Sequence, residues 1–177
     1  MRSNPTTVPR VLIVMGVSGS GKTEVGQRLA AKLTGHFFDA DAFHPPENIA
    51  KMSQGVPLTD ADRIPWLEAM RTRVIDACPP GETCVLACSA LKRHYREYLR
   101  ATRPASVHFI FLDGSYDIIF ARMQERTDHF MREEMLRSQF ASLEAPGNEE
   151  AIQVSIAAPV DEVVTRALEN LKIGDQR

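Results

Sequence analysis

Residues Gly16–Thr23 combine a flexible backbone with groups that bind anions. The segment reads GVSGSGKT and directly follows the apolar run VLIVM. Glycines allow successive backbone N–H groups to turn toward phosphate oxygens, and a helix that begins near Lys22 adds the positive end of its dipole. The Gly-x-x-x-x-Gly-Lys-Thr spacing therefore predicts a phosphate-binding loop, with Lys22 at the β- and γ-phosphates and the Thr23 hydroxyl on Mg²⁺. The predicted nucleotide-binding residues are Gly16, Val17, Ser18, Gly19, Ser20, Gly21, Lys22 and Thr23.

A plain Gly/Ser turn between a strand and a helix is the alternative interpretation of this loop. Such a turn rarely needs this length, or a Lys-Thr pair at its exit. A dinucleotide-binding loop is excluded, because the pattern Gly-x-Gly-x-x-Gly does not occur here. The loop alone is compatible with a GTPase, an ATPase, a regulatory switch or a small-molecule kinase.

Asp39 and Asp41 close the next apolar stretch, FFDAD at 37–41. Alternation along a strand points them to opposite sides, so that one faces a metal ion through water and the other faces an acceptor. We assign the metal to Asp39, together with Thr23, and the acceptor to Asp41, which takes or orients the proton of the reacting hydroxyl. The alternative is a solvated loop with helix caps, and for Asp60 we favour that cap role.

Residues 39–66 contain further polar groups, separated by Pro and Gly. For His44, an ordinary loop contact and a contact with the acceptor fit equally well. Arg63 lies near Trp66 in sequence, so it can form a cation–π pair with that ring or hold a substrate anion through its planar fork. Lys51 fits a charge on a helix surface.

A basic cluster follows a third apolar run, CVLAC at 84–88. Ser89 can hydrogen-bond to a polyol, while Lys92 and Arg93 can attract an anionic acceptor. The alternative is the first turn of an amphipathic helix with its charges in solvent, and this alternative is as good as the first for Arg93.

Arg122 and Arg126 stand four residues apart and therefore share one helical face. They lead into a polar stretch with His129, which we interpret as a short mobile lid at about 124–133. A closing arginine stabilises the charge that phosphoryl transfer spreads over oxygens, which is the functional interpretation of this pair. A charged helix with Glu125 as a local partner is the alternative.

Strands that alternate with helices must position these residues. Each apolar run is almost continuous, as expected for a strand that is covered on both faces. The sequence predicts an α/β fold with a doubly wound, mostly parallel five-stranded sheet and right-handed crossovers, and ligands beyond the carboxyl ends of the strands. The predicted strands are Val11–Met15, 37–41, 84–88, 107–112 and 151–156, and the helices include one after Asp62 that buries Ile64 and one at 132–143 that buries Met135.

Composition predicts a single domain over residues 10–172, with a flexible lead at 1–9 and a tail at 173–177. The chain has 177 residues and a formal net charge of −2, which argues against non-specific nucleic-acid binding. We find neither a stretch apolar enough to span a membrane nor a signal-peptide pattern. The cysteines at 78, 84 and 88 lack metal-type spacing, so we expect reduced thiols and a cytoplasmic protein.

Four motifs together resemble the gluconate kinases of the thermoresistant gluconokinase family, over residues 10–171. They read MGVSGSGKT, DADAFHPPENIAKMSQGVPLTDADRIPWL, CSALKRHYREYLR and HFMREEMLRSQFASLEAP. The resemblance implies ATP-dependent phosphorylation of D-gluconate to 6-phosphogluconate, Mg²⁺ dependence, a fold akin to shikimate and nucleoside-monophosphate kinases, and a homodimer. Ala40 departs from the family's usual glycine, and Ser155 and Ala157 depart from its usual acidic residues.

The resemblance also implies a site. ATP lies over Gly16–Thr23, and the acceptor lies between Lys92 and an acceptor segment at about 39–78. Arg63 pairs with the gluconate carboxylate. The predicted acceptor-binding residues are Asp41, His44, Arg63, Ser89, Lys92 and His129, and the predicted catalytic residues are Lys22, Asp41 and Arg126. The resemblance favours function over a charged helix for both lid arginines, so that Arg122 is predicted to bind the nucleotide. A kinase for shikimate or a nucleoside monophosphate, and a non-catalytic nucleotide switch, are the alternatives.

Overall fold

The structure is a computed structural model that describes the backbone of residues 10–125 and 130–174 and the side chains of residues 10–125 and 133–171. Its strands pair in the order β2-β3-β1-β4-β5, and every pair is parallel. This confirms the predicted five-stranded doubly wound sheet. The strands are β1 Arg10–Met15, β2 His36–Asp39, β3 Thr83–Ala87, β4 Val107–Asp113 and β5 Ala151–Ser155.

Helices cover both faces of the sheet. A 3-10 turn over Ala40–Phe43 follows β2, and a π-helical turn over Arg71–Ile75 continues the third helix. None of the helices within the described ranges is long and apolar enough to cross a bilayer. The helices are α1 Lys22–Lys32, α2 Pro46–Ser53, α3 Asp60–Met70, α4 Arg93–Arg100, α5 Tyr116–Gln124, α6 Phe130–Ser142 and α7 Val160–Gly174.

The central strand β1 separates two hydrophobic cores. Ile13 and Met15 face a core that includes Trp66 and Met70 of α3, while Leu12 and Val14 face a second core with α1, α5 and α7. Successive side chains of a strand point to opposite faces, so a strand with helices on both sides must be apolar at every position. That requirement is why the apolar runs located the strands.

Because β1 lies between β3 and β4, the chain winds away from β1 in both directions. A crevice opens at such a point, beyond the carboxyl ends of the strands. The phosphate loop leaves β1 at Gly16, the acidic pair leaves β2 at Asp39, and the basic cluster follows β3. The fold therefore brings three of the polar segments to one edge of the sheet.

Four local predictions are wrong. The N-cap of α3 is Thr59 rather than Asp60, because Thr59 and Asp62 exchange two hydrogen bonds in a capping box that satisfies both backbone N–H groups. The helix thus begins before Asp62. The side chains of Ile64 and Met135 are exposed rather than buried, since the cores are filled from the other faces of α3 and α6.

Candidate active site

The phosphate loop depends on glycine at two positions with different surroundings. Gly19 has a φ of 79°, and a Cβ atom there would lie 2.9 Å from Met123 Cγ. Gly21 has a φ of 96°, but a Cβ atom there would meet nothing within 4 Å. Both values lie in the left-handed region, which favours glycine. The loop is therefore packed tightly against α5 at Gly19 and open at Gly21, where α1 begins.

The Lys22 side chain folds back across this loop. Its Nζ donates to the carbonyl oxygen of Val17 at 2.9 Å. Burial lowers the pKa of Lys22, and the nearby charges of Asp41 and Asp39 oppose that shift. An ammonium group held here is placed to contact phosphates that lie over the loop.

Thr23 and Asp39 form a pair of oxygen donors beside the loop. Thr23 Oγ1 donates to Asp39 Oδ2 at 3.2 Å. Mg²⁺ prefers hard oxygen ligands and usually takes one or two from the protein, with the rest from water and substrate phosphates. The donor set therefore fits the predicted metal pair.

Asp41 does not continue the strand, so the prediction that alternation separates it from Asp39 is wrong. Strand β2 ends at Asp39, whose Oδ1 accepts the backbone N–H of Asp41 at 3.0 Å. This hydrogen bond starts the 3-10 turn and bends the chain toward the crevice. Both carboxylates consequently lie near Lys22.

His44 and Trp66 give the acceptor segment a rigid wall. Their rings stack with centroids 4.6 Å apart and planes 5° apart, and Trp66 Nε1 donates to the Ala40 carbonyl at 2.7 Å. Burial lowers the pKa of His44, and the cation of Arg63 lowers it further against the opposing charge of Asp41. Asp41, His44 and Arg63 are therefore neighbours, as a shared acceptor site requires.

Arg63 does not pair with Trp66, so that alternative is wrong. Its guanidinium lies 5.8 Å from the ring centroid of Tyr95, while the ring stacked on Trp66 belongs to His44. Sequence proximity favoured Trp66, but α4 brings Tyr95 against α3.

Asp60, which we expected to be a cap, instead ties α3 to α4. Its Oδ1 accepts from Lys92 Nζ at 2.9 Å and from the Tyr95 hydroxyl. These two contacts, with that of Tyr95 the larger, hold the pKa of Asp60 below its usual range. Lys92 is therefore already paired with a carboxylate at the site. The sequence did not predict this pair, because Asp60 and Lys92 are far apart in the chain.

Ser89 lies next to the phosphate loop. Its carbonyl accepts the Gly16 N–H at 3.3 Å, and it is followed by Ala90, which has a φ of 43°. Arg93 is exposed and pairs with Glu97 at 3.0 Å, which favours its solvent-facing interpretation. Ser89 is thus adjacent to the predicted phosphates, whereas Arg93 is not placed to bind an acceptor.

Arg96 is a buried residue of this site that sequence reasoning missed. Only 1% of it is exposed. It donates to the carbonyl oxygens of Ala90, Leu91 and Glu144 at 2.9, 3.1 and 2.9 Å, and to both carboxylate oxygens of Glu150 at 2.6 and 3.2 Å. In sequence it is one charge among many in an amphipathic helix, so no local signal distinguishes it.

A cavity of about 230 Å³ opens on the other side of the loop. Its lining includes Gly19, Gly21 and Arg122, together with the apolar side chains of Ile156 and Val160. Arg122 Nη2 donates to the Ile156 carbonyl at 2.5 Å, which ties α5 to the end of β5. A pocket with both polar and apolar lining beside a phosphate loop, with an arginine at its wall, is suited to a nucleoside, which has a flat base and a polar ribose.

Arg126 and His129 lie outside the described residues, as does the centre of the predicted lid. Their predicted roles therefore stay predictions.

Comparison with known proteins places the chain in a family. A family model described as shikimate kinase matches residues 18–172. The thermosensitive gluconokinase of Escherichia coli is 51% identical over 78% of this chain and 73% of its own length. The gluconokinase of Gluconobacter oxydans is 45% identical over 94% of each chain. A crystal structure of a gluconokinase from Sinorhizobium meliloti has a TM-score of 0.82 and 44% identity, covering 95% of this chain and 98% of its own. The chain therefore belongs to the gluconokinases, within the shikimate kinase family of P-loop kinases.

Proposed function

We propose that this protein is a gluconokinase, which transfers the γ-phosphoryl group of ATP to the terminal hydroxyl of D-gluconate and gives 6-phosphogluconate. The proposal is supported most directly by the meeting of Lys22, Asp39 and Asp41 beside the phosphate loop. The names of relatives that are 45–51% identical support the choice of acceptor.

In this proposal the triphosphate lies over Gly16–Thr23, and Lys22 neutralises charge on its β- and γ-phosphates. Asp41 accepts or orients the proton of the gluconate hydroxyl. That oxygen forms the new bond to phosphorus, while the bond between the γ-phosphorus and the bridging oxygen of ADP breaks. Catalysis then depends mainly on positioning and charge neutralisation.

Gluconate lies against the acceptor segment. Arg63 pairs with its carboxylate through a planar fork, and His44, Ser89, Lys92 and His129 contact its hydroxyls or its charge. Asp60 keeps Lys92 oriented through their 2.9 Å contact. The neutral His44 ring can both donate and accept a hydrogen bond, which suits a polyol.

Thr23 and Asp39 would hold Mg²⁺, with Asp39 acting through water. When bound, the ion neutralises phosphate charge and orients the triphosphate. Arg122 would border the base and ribose in the cavity, and Arg126 would approach the transferring group from the lid at about 124–133.

We further propose a single kinase domain over residues 10–172 that acts as a homodimer in the cytoplasm. Its three cysteines are free and buried, in keeping with a reducing compartment. An exposed apolar stripe on α2 and the turn after it, formed by Ile49, Met52 and Val56, is a surface that dimerisation could cover. Analytical ultracentrifugation would test the dimer.

Three other functions compete with gluconate phosphorylation. A nucleoside monophosphate would require a second aromatic or apolar base pocket, but the acceptor side offers Asp41, His44 and Arg63 instead. Shikimate would share the anion contact and is the closer rival. A non-catalytic switch would not need an acceptor site beside the phosphate loop.

A coupled assay of ATP consumption with gluconate, shikimate and nucleoside monophosphates separates these functions. We expect turnover with gluconate and none with shikimate or the nucleoside monophosphates.

Because general-base help is worth about 10²–10⁴-fold, Asp41→Asn should lose turnover on that scale and keep nucleotide binding. Near-normal turnover in this variant would remove Asp41 from the role of base.

A further inference from the structure

A side chain of α6 reaches the phosphate loop. The backbone N–H of Ser18 donates to Gln139 Oε1 at 2.6 Å, across 121 positions of sequence. Since the loop atom is a donor, the carboxamide must present its oxygen to it, which leaves the two N–H donors of the Gln139 amide for another acceptor. Sequence reasoning assigned no role to Gln139.

The phosphate loop has two distinguishable ends. Gly19 and Gly21 line the cavity that suits a nucleoside. At the other end, the Lys22 ammonium lies on the Val17 carbonyl, and the Gly16 N–H donates to the Ser89 carbonyl at the acceptor side.

The γ-phosphate must point toward the acceptor, because the acceptor attacks it. Ser18 directly follows Val17, whose carbonyl accepts from the Lys22 ammonium, and the loop residues that line the nucleoside cavity begin only at Gly19. The Ser18 N–H, and with it the Gln139 amide, therefore lies at the γ-phosphate end of the loop rather than at the nucleoside end.

We propose that Gln139 is a γ-phosphate contact. Its oxygen remains on the Ser18 N–H, and its amide nitrogen donates to a γ-phosphate oxygen, so that α6 is joined to the triphosphate. This proposal rests on the proposed function in one respect, namely that ATP occupies the loop. Hydrogen bonds to charged groups are stronger than neutral ones, and ADP lacks the group that receives this one.

Two simpler roles make different predictions. If Gln139 only holds the loop in shape, then any residue that accepts the Ser18 N–H should replace it, and ATP and ADP should be affected alike. If the Gln139 oxygen competes with phosphate for that N–H, then its removal should tighten nucleotide binding.

Calorimetric titration with Mg²⁺-ADP and with a non-hydrolysable Mg²⁺-ATP analogue distinguishes these roles. Gln139→Ala should weaken binding of the ATP analogue by about 10-fold or more, which is the scale of one hydrogen bond to a charged group. The affinity for ADP should stay within about 2-fold of that of wild type. Gln139→Glu retains an oxygen for the Ser18 N–H but adds a negative charge beside the γ-phosphate, so it should lose at least as much affinity for the analogue as Gln139→Ala.

Arg137→Ala is the matched control on the same helix. Its side chain is exposed and pairs with Glu133 one turn away, so neither affinity should change. Recovery of analogue affinity in Gln139→Glu, an equal loss for both nucleotides in Gln139→Ala, or tighter binding in either variant would overturn the proposal. A wild-type protein that binds neither nucleotide would instead reject the nucleotide site itself.

Discussion

Replacement of Arg96 by methionine should destabilise the protein and lower its affinity for gluconate. Arg96 is almost fully buried, and it satisfies three backbone carbonyls as well as the Glu150 carboxylate. Two of those carbonyls belong to Ala90 and Leu91, which lie between Ser89 and Lys92. Methionine fills part of the same space but donates no hydrogen bond.

The size of the effect follows from what the substitution leaves behind. Removal of one partner from a buried ion pair costs about 3–5 kcal/mol, because the other charge stays buried without compensation. Since 16% of the Glu150 side chain is exposed, water can solvate part of that charge. We therefore expect a loss near the lower limit, about 3 kcal/mol of the free energy of unfolding.

Urea denaturation of wild type, Arg96→Met and Arg93→Met measures this difference. Arg93 lies on the same helix, but its side chain is 72% exposed and that of its partner Glu97 is 62% exposed. Exposed pairs contribute only about 0–1 kcal/mol, so the control should remain close to wild type. Steady-state kinetics on folded Arg96→Met should show a larger rise in KM for gluconate than for ATP.

Equal urea midpoints for the two variants would refute the argument that Arg96 is held in a buried ion pair. A destabilised Arg96→Met variant with unchanged gluconate kinetics would refute the argument that Arg96 positions the segment with Ser89 and Lys92.

Three further predictions concern single side chains. Arg63→Ala should raise KM for gluconate by about 10-fold or more, as expected for the loss of a charged hydrogen bond, and unchanged gluconate kinetics would exclude Arg63 from the site. Gly19→Ala places a Cβ atom 2.9 Å from Met123 Cγ at a left-handed φ, which alone costs about 1–2 kcal/mol, so a urea midpoint equal to that of wild type would contradict the packing described. The hydrogen bond from Lys51, together with those from Thr59 at the helix cap, lowers the pKa of Asp62 from 3.8 to about 2. The ionised Asp62 carboxylate therefore stabilises the fold above about pH 4, and this stability is lost as the pH falls toward about 2. Asp62→Asn should therefore unfold at a lower urea concentration than wild type at about pH 6. If the difference between the two urea midpoints does not narrow between about pH 4 and about pH 2, the ionised Asp62 carboxylate is not the source of this stability.

The sequence by itself determined where the strands lie, their parallel pairing and the phosphate loop. Strands covered on both faces must be apolar at every position, so β1, β3 and β4 appear as continuous apolar runs, whose short length and β-branched or aromatic residues favour a strand over a buried helix. The loop is equally local, because the glycines, Lys22 and Thr23 act through the backbone they belong to. Its position between a strand and a helix then fixed the edge of the sheet where the site lies.

Only the tertiary structure decided which side chains pair within the site. Arg63 lies over Tyr95, Asp60 accepts a hydrogen bond from Lys92, and Gln139 accepts one from the phosphate loop at Ser18. In each case two segments that are far apart in the chain pack at angles that no local pattern encodes. The burial of Arg96 could not be predicted for the same reason. Its sequence context is that of an exposed helical charge, yet it is buried beneath the acceptor side of the site. Periodicity reports which face of an element is apolar, whereas the partner of a buried polar group depends on how whole elements pack.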